Sequence, residues 1–203
     1  MGNSVETQEK ILDAAIIHFA QKGYNGTKTA DIARDAGVSE GSVFKYYSTK
    51  KDILRGVMEK IVHQIIPDIV IGPGDEFEEL LKSGDPAEEL KKIVRSRIGK
   101  VLKNVNAFRI LLNELQYHED ILNEFRDQVI LRFFGIVEGA FKEISGKGMF
   151  RQVDPHMAAR SLLGMMNVIV LENIVLKRPL DIDREIDAVL DLFMNGIIVR
   201  NEV

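Results

Sequence analysis

The 203-residue sequence contains no cysteine. Disulfide bonds, thiolate zinc sites, cysteine nucleophiles and thiol redox sensing are therefore excluded. Long apolar runs are also missing, because no stretch approaches the roughly 20 apolar residues that a membrane span needs. The first residues, MGNSVETQEK, lead into an amphipathic segment rather than into a continuous apolar run. These absences predict a globular protein of the cytoplasm with no membrane partner.

Signals for catalysis and for metal binding are equally scarce. The four histidines are isolated from one another, and the run His118, Glu119, Asp120 is best attributed to chance. The sequence has no glycine-rich phosphate loop, no nucleophile elbow and no carboxylate pair with a neighbouring base. We therefore expect no metal, no cofactor and no enzymatic activity, with a small all-α enzyme kept as an alternative.

Charge is distributed unevenly along the chain, whose formal net charge is -4. Residues 22–55 carry seven basic and four acidic residues, a net charge of +3. The rest of the chain must then be strongly acidic. A locally basic segment on an acidic body indicates a protein that touches phosphate with one end only.

Apolar residues recur with helical spacing almost everywhere, and no stretch alternates with a period of two for long enough to indicate a strand. We predict an all-α fold of about nine helices. Residues 67–86 hold a concentrated group of prolines and glycines. Residues 1–50 are accordingly predicted to form a three-helix domain, residues 50–66 a connecting fourth helix, and residues 51–203 a larger helical domain. The later helices are expected at about 86–103, 105–117, 119–145, 155–177 and 182–200.

Residues 29–54, TADIARDAGVSEGSVFKYYSTKKDIL, have the pattern of a helix-turn-helix. Ala33 is small where the two helices would cross, and Gly37 tolerates a left-handed backbone at the turn between them. Ser39 can cap the second helix. The apolar positions expected to face a shared core are Ile32, Ala36, Val38 and Val43.

The second helix of this motif would present a face suited to DNA. Hydroxyl, aromatic and basic side chains can reach phosphates and base edges in a major groove. Lys50 and Lys51 begin the next helix, where cations are unfavourable unless an anion such as phosphate lies close by. The alternative is an ordinary three-helix core in which Phe44, Tyr46 and Tyr47 are buried. The exposed face comprises Glu40, Gly41, Ser42, Phe44, Lys45 and Tyr46.

Residues 7–58 resemble the N-terminal DNA-binding domain of TetR-type transcriptional regulators. The segment ILDAAIIHFAQKGYNGT precedes the helix-turn-helix, and two aromatic residues stand before KKDIL, all in the order of the family. The resemblance implies a homodimer that represses promoters by binding a palindromic operator in double-stranded DNA. It also implies release of the operator when a small molecule enters the C-terminal domain. The DNA-facing residues that it implies are Thr29, Ser39, Gly41, Ser42, Phe44, Lys45, Tyr46 and Lys50.

Two positions depart from the family pattern. Glu40 stands where a lysine is common, so it should repel phosphate or instead accept a hydrogen bond from a cytosine amino group. Phe44 stands where a tyrosine is common, which removes a hydroxyl group but keeps apolar contact with a thymine methyl group. We include Glu40 among the predicted DNA-contacting residues. Because of these two departures, the resemblance does not predict the operator sequence.

Two apolar segments near the C-terminus are candidates for a dimer interface. Residues 157–176 are apolar nearly all round, so this helix must be covered on more than one side. The resemblance implies that it pairs, together with the last helix, with its symmetry mates in a four-helix interface. A monomeric core is the alternative. The predicted interface residues are Leu162, Met166, Ile169, Val170, Ile186, Leu190, Phe193 and Ile197.

A ligand cavity is expected in the same domain. Residues 91–103 contain six basic residues and no acid, which either form a solvated helix face or anchor a phosphorylated ligand through Arg95, Arg97 and Lys100. The segment NAFRILLNELQYHEDILNEFR resembles the matching region of acyl-CoA-responsive family members, which implies long-chain acyl-CoA or another apolar effector. For each residue of the predicted cavity lining, packing in the protein core is the alternative. The predicted lining residues are Phe108, Leu111, Leu112, Leu115, Tyr117, Phe133, Phe134, Met165 and Met166.

The sequence thus predicts a ligand-responsive, DNA-binding transcriptional regulator that acts as a homodimeric repressor. Its partners would be operator DNA, a second copy of itself and a small-molecule effector. A helical adaptor that uses the same fold only to bind proteins is the other class of function that the residues allow.

Overall fold

A computed structural model describes residues 2–70, 76–148, 152–176 and 181–197. Within these ranges the chain is helical and contains no β-strand, as predicted. The α-helices are α1 Gly2–Gly26, α2 Thr29–Asp35, α3 Glu40–Tyr46, α4 Lys50–Lys60, α5 Ile66–Val70, α6 Glu76–Lys82, α7 Pro86–Lys103, α8 Val105–Glu114, α9 Glu119–Phe125, α10 Leu131–Gly146, α11 Pro155–Leu171 and α12 Ile182–Ile197.

Several of these helices run into one another without a break. π-helical turns at Ile61–Ile65 and Arg126–Ile130 join α4 to α5 and α9 to α10, and a third at Glu172–Leu176 extends α11. A 3₁₀ turn at Leu115–Tyr117 extends α8. The described residues therefore form ten continuous helical stretches, one more than expected. The addition is α6, which lies inside the segment rich in proline and glycine.

The chain divides into two compact units. Unit 1 comprises Met1–Pro67 and Asn104–Arg126, and unit 2 comprises Asp68–Lys103 and Asp127–Val203. Helices α8 and α9 thus pack with the N-terminal helices, although they follow the connecting helix by some forty residues in the sequence. The functional boundary near residue 50 stays a prediction, because a compact unit need not coincide with a functional domain.

The core of unit 1 is built around α1. Its apolar residues at helical spacing, among them Ile11, Ala15 and Phe19, are buried where α1 packs against α2, α4 and α8. Ala107 and Ile110 of α8 are buried as well. The helix-turn-helix is therefore supported from behind by a segment that comes much later in the chain.

The core of unit 2 corrects the predicted dimer interface. Helix α11 packs against α7, α10 and α12, and its apolar side is buried together with that of α12. A side chain that is buried in its own unit has little surface left for a second chain, so the burial of these residues argues against their assignment to the interface. The corrected residues are Leu162, Met166 and Ile169 of α11 and Ile186, Leu190 and Phe193 of α12.

The two remaining predicted interface residues add little. Val170 is half-buried and packs against the same core. Ile197 ends α12, and its side chain lies outside the described part of the structure. On α11, the surface that remains accessible to a second chain is therefore its exposed side.

One helical stretch, Pro155–Ile174, is long and apolar enough to cross a membrane by length and composition, which the sequence analysis did not anticipate. In the most apolar 18-residue window of this stretch, 33% is buried inside the protein. The buried side chains include Ala158, Ala159 and Leu162, which contact the other helices of unit 2. These contacts make one side of the stretch part of the unit 2 core.

Candidate nucleic-acid interface

The turn between α2 and α3 has the geometry of a helix-turn-helix. Gly37 has φ of +69°, in the left-handed region that favours glycine. The backbone N–H of Val38 donates to the carbonyl of Ala33 at 2.9 Å, which closes the end of α2. The predicted core positions Ile32, Ala33, Ala36 and Val43 are all buried, which confirms their assignment, and Val38 is half-buried.

Helix α3 begins with a serine cap and presents its outer side to solvent. The N–H of Ser42 donates to the Ser39 hydroxyl oxygen at 3.1 Å, and the two hydroxyl groups lie 2.8 Å apart. Gly41 and Lys45 are exposed. Phe44 exposes 43% of its surface, which excludes the alternative in which it is a core residue.

The two tyrosines after Phe44 are each half-buried. Burial raises the pKa of the Tyr47 hydroxyl, and the nearby carboxylates of Glu9 and Glu59 raise it further. The Tyr47 ring lies where Gly56 of α4 has no side chain, since a Cβ atom at Gly56 would stand 3.0 Å from Tyr47 Cε1. Tyr47 thus packs against α1 and α4, while Tyr46 lies at the edge of the exposed face.

Thr29 and Glu40, both predicted to contact DNA, are bonded to each other. The Thr29 hydroxyl donates to Glu40 Oε1 at 2.5 Å. This bond joins the first residue of α2 to the first residue of α3. In the free protein, the Thr29 hydroxyl is therefore already used by a neighbouring carboxylate.

Lys50 has a different role from the predicted phosphate contact. Its ammonium group donates to the backbone carbonyls of Tyr24 at 2.8 Å and Thr27 at 3.0 Å, and lies 4.5 Å from the centre of the Tyr24 ring. These carbonyl oxygens supply the negative partner that a cation at a helix N-terminus requires. Lys50 therefore gives no evidence for a nearby phosphate anion, whereas Lys51 is exposed.

Other bases of the helix-turn-helix are also paired with acids. Asp31 bonds Lys22 at 3.1 Å and Arg34 at 3.0 Å. The hydrogen bond from Lys22 holds the pKa of the Asp31 carboxyl below its usual value. Within the described residues, the exposed bases of this region without such an ion pair are Lys28, Lys45 and Lys51.

His18 connects α1 to the end of α2. Its side chain is buried, and its Nε2 lies 2.7 Å from Asp35 Oδ2. This hydrogen bond lowers the pKa of the Asp35 carboxyl from its usual value, with a smaller contribution from Arg34. In the described residues no group of histidine and carboxylate side chains is arranged to hold a metal ion.

Two contacts hold α9 against the α4 helix within unit 1. Arg55 donates to Asp120 at 2.9 Å, and His63 in the first π-helical turn lies 3.1 Å from Glu124. The residues in each pair are more than sixty positions apart in the sequence. Local periodicity could not have identified them.

The predicted phosphate anchors of unit 2 are engaged with acids of the same unit. Arg95 of α7 forms an ion pair with Asp187 of α12, and Arg97 pairs with Glu76 of α6. Lys100 is half-buried. Ion pairing with acids of unit 2 therefore accounts for Arg95 and Arg97 better than a ligand anchor does.

The predicted ligand lining does not form one cavity within either unit. Its members from α8 and the following 3₁₀ turn belong to unit 1, and those from α10 and α11 to unit 2. Leu111 and Met166 are buried, whereas Leu112, Tyr117 and Met165 are exposed. The others, Phe108, Leu115, Phe133 and Phe134, are half-buried.

Unit 2 has an open groove of about 480 Å³, which Phe134 helps to line. Its walls are mainly apolar, and His156 and Glu138 form a pair at 2.5 Å on one side. Arg160 supplies a second basic group. The further lining residues are Ile130, Leu131 and Gly135.

Two family models match the chain. Bacterial regulatory proteins of the tetR family match residues 11–57, and the tetracyclin repressor-like C-terminal domain matches residues 83–171. Together they span about two thirds of the sequence. The helix-turn-helix of α2 and α3 lies within the first match, and helices α7 to α11 lie within the second. The chain belongs to the TetR family, and it is a DNA-binding transcriptional regulator rather than an enzyme.

Similar proteins include regulators of lipid metabolism. The fatty acid metabolism regulator protein of Bacillus subtilis (strain 168) is 24% identical over 190 residues, which cover 93% of this chain and 94% of that protein. The crystal structure of FadR from Bacillus subtilis in complex with stearoyl-CoA matches with a TM-score of 0.65 at 20% identity, covering 93% of this chain and 98% of that chain.

A third relative has a different ligand. A transcriptional regulator from Saccharomonospora viridis in complex with choline matches with a TM-score of 0.73 at 19% identity, covering 97% of this chain and all of that chain. Its TM-score is higher than that of the stearoyl-CoA complex. The shared fold therefore does not by itself choose the ligand.

Proposed function

We propose that the chain is a repressor that binds a palindromic operator as a homodimer through the exposed side of α3. One observation carries the proposal: Ser42, Phe44 and Lys45 stand together on a helix whose opposite residue, Val43, is completely buried. Burial of Val43 fixes the orientation of the outer side chains. Hydroxyl, apolar and basic groups held in this way suit phosphates, thymine methyl groups and guanine edges.

Selection of bound sequences from random DNA tests this proposal. The full chain is expected to enrich a palindrome whose half-sites are separated by about one helical turn or a multiple of it. Lys45→Ala should abolish the enrichment, whereas Lys142→Ala, at an exposed lysine of unit 2, should leave it intact. Failure to enrich any sequence would contradict the proposal.

The dimer in this proposal forms through the exposed side of α11. Its apolar side chains recur at helical spacing on the side opposite the unit 2 core, with small residues between them. An apolar stripe of this kind is favourable only when another surface covers it. We define the α11 stripe as Met157, Ser161, Gly164, Met165, Val168 and Leu171, all exposed.

A charge placed in the α11 stripe should prevent association. Val168→Arg is expected to sediment as a monomer and to lose operator binding, because an arginine would have to be buried unpaired. Val5→Arg replaces an equally exposed valine of unit 1 and should sediment as the wild type does. A dimeric Val168→Arg variant would place the interface elsewhere.

The effector in this proposal is a long-chain acyl-CoA. Support comes from the fatty acid metabolism regulator that covers nearly the whole chain, and from the apolar groove of unit 2 with Arg160 beside it. A thermal-shift comparison of stearoyl-CoA, free CoA and choline tests the choice. Stearoyl-CoA alone should raise Tm and release DNA. Stabilisation by choline instead would replace the ligand without affecting the DNA-binding proposal.

The groove itself is tested by changing its base. Arg160→Gln is expected to weaken stearoyl-CoA binding by about tenfold, which is the effect of losing one charge-assisted hydrogen bond. Arg184→Gln, at an exposed arginine of α12, is the matched control. Equal affinities of the two variants would show that the effector binds outside the groove.

We place the regulator in the cytoplasm. Support comes from the Pro155–Ile174 stretch, one side of which packs into the core of unit 2. Cell fractionation should recover the chain in the cytosolic fraction. Recovery in the membrane fraction would instead favour a membrane role for this helix.

A further inference from the structure

The contact between Thr29 and Glu40 lies at the edge of the face that reads DNA. Glu40 is exposed and adjoins Gly41 and Ser42, and the half-buried Thr29 donates to its carboxylate at 2.5 Å. The bond spans eleven positions of sequence and joins the beginnings of α2 and α3. It therefore depends on the folded helix-turn-helix rather than on local chain conformation.

A threonine hydroxyl has a single proton to donate. A carboxylate and a phosphodiester both act only as acceptors, so Glu40 and a DNA phosphate would compete for the proton of Thr29. When DNA takes that proton, the Glu40 carboxylate loses its donor. It is then left as an anion facing the phosphate backbone.

Three bases of unit 1 are engaged elsewhere, and none of the ion pairs among the described residues joins Glu40 to the exposed Lys28 or Lys45. Lys22 and Arg34 bind Asp31, and the ammonium group of Lys50 is held by backbone carbonyls. The Glu40 carboxylate accepts its hydrogen bond from the Thr29 hydroxyl instead. A duplex that displaces this bond has to supply a replacement donor.

We propose that Glu40 determines specificity by penalising every duplex that does not return a hydrogen bond to its carboxylate. In the major groove, the amino groups of cytosine and adenine are the donors available on base edges. An operator that places such a group beside Glu40 compensates for the lost bond to Thr29. Other sequences leave the carboxylate unpaired and are bound more weakly. The preference for the operator over other DNA therefore comes mainly from weakened binding to the other sequences.

Binding of the full chain to a random-sequence duplex tests the penalty. In fluorescence anisotropy, Glu40→Gln and Glu40→Ala should each bind this duplex about tenfold more tightly than wild type, with a salt slope steeper by about one unit. Glu143→Gln makes the same charge change on the exposed side of α10 and should bind as wild type does. Unchanged affinity in both Glu40 variants would overturn the proposal.

A double-mutant cycle tests the competition for the Thr29 proton. Thr29→Val should change random-duplex affinity less than about twofold in the wild type, where the hydroxyl exchanges one acceptor for another. In the Glu40→Ala background the same change should weaken binding about fivefold, because the hydroxyl then gains a phosphate. Equal effects in the two backgrounds would show that Glu40 and phosphate do not compete.

Sequence selection tests the specificity itself. Wild type should select operators with a cytosine or adenine at one symmetric position, and Glu40→Ala, which removes the acceptor, should lose that preference while retaining the others. Identical preferences would overturn the role in specificity, even if general affinity changed. Because Glu40 is exposed, its variants should melt at the wild-type temperature, which verifies that folding is unaffected.

Discussion

Unit 1 and unit 2 differ in what they leave exposed. Unit 1 presents the outer side of α3, where hydroxyl groups and lysines surround a single exposed phenylalanine. Unit 2 presents the α11 stripe, which is apolar and contains two methionines. The first surface suits a hydrated, charged partner such as DNA, and the second suits another protein surface. One chain thus carries two exposed surfaces with opposite chemistry.

The two units are alike because several basic side chains in each are already paired with acceptors in the same unit. In unit 1, Lys50 binds carbonyl oxygens and Arg34 binds aspartates. In unit 2, Arg95 and Arg97 bind acids from other helices. The number of basic residues in the sequence therefore overstates the positive charge that is available to a DNA phosphate. The exposed lysines without an ion pair are the better indicators of a DNA-binding surface.

The largest expected effect concerns the core of unit 2. Leu190→Ala should destabilise the protein by about 2–5 kcal/mol, because Leu190 is fully buried. Leu192→Ala, two residues later at a side chain that is 69% exposed, should change stability by less than about 0.5 kcal/mol. Urea unfolding at equal protein concentration measures both. Similar losses in the two variants would show that Leu192 is covered in the folded protein, which would contradict its exposure here.

The next effect separates two neighbouring lysines of unit 1. Lys50→Met should lower stability by about 1–3 kcal/mol, since it removes hydrogen bonds from a charged group to two carbonyls. Lys51→Met should leave the unfolding midpoint unchanged and weaken DNA binding instead. Chemical unfolding and anisotropy distinguish them. The reverse pattern would restore Lys50 as the phosphate contact.

A smaller effect compares packing around two helical glycines. Gly56→Ala in unit 1 should cost about 1–2 kcal/mol, because the new Cβ would lie 3.0 Å from Tyr47 and 3.1 Å from Leu12. Gly99→Ala in unit 2 meets no atom within 4 Å and should stabilise α7 by up to about 1 kcal/mol. Thermal unfolding of the two variants should therefore shift in opposite directions. A stabilising Gly56→Ala would show that Tyr47 can move aside.

The smallest effect is a dependence on pH within unit 1. The hydrogen bond to His18 lowers the pKa of Asp35 in the folded state, so its contribution is present above the unfolded pKa of about 3.9 and is lost as pH falls through the lower folded value. Asp35→Asn should therefore melt below wild type at neutral pH. The difference should narrow below about pH 4. A difference that stays constant from neutral to acid pH would contradict this assignment.

Local spacing predicted the framework of the DNA-binding unit. Small and apolar residues such as Ala33 and Val43 are buried as expected, because helical periodicity and the turn glycine depend only on near neighbours in the sequence. The bond between Thr29 and Glu40 and the one between Lys50 and Tyr24 were missed. These partners are eleven and twenty-six positions apart, and only the folded chain brings them together.

The residues predicted for a dimer surface on α11 are buried within unit 2, and we propose its exposed side instead. Helix α11 is apolar nearly all round, so periodicity cannot tell which side its own core takes. Packing against α7, α10 and α12 decides this, and it leaves Met157 and Val168 outside. The residues of the predicted ligand lining are divided between the two units for a related reason, because α8 joins unit 1 although it follows the connecting helix in the sequence.

The salt dependence of DNA binding tests the central claim most directly, namely that the exposed side of α3 binds duplex DNA. Affinity for the selected operator should fall linearly with salt on logarithmic axes. Lys45→Ala should reduce that slope by about one unit, and Lys142→Ala should not change it. Binding that is independent of salt, or a slope unaltered by Lys45→Ala, would contradict the account.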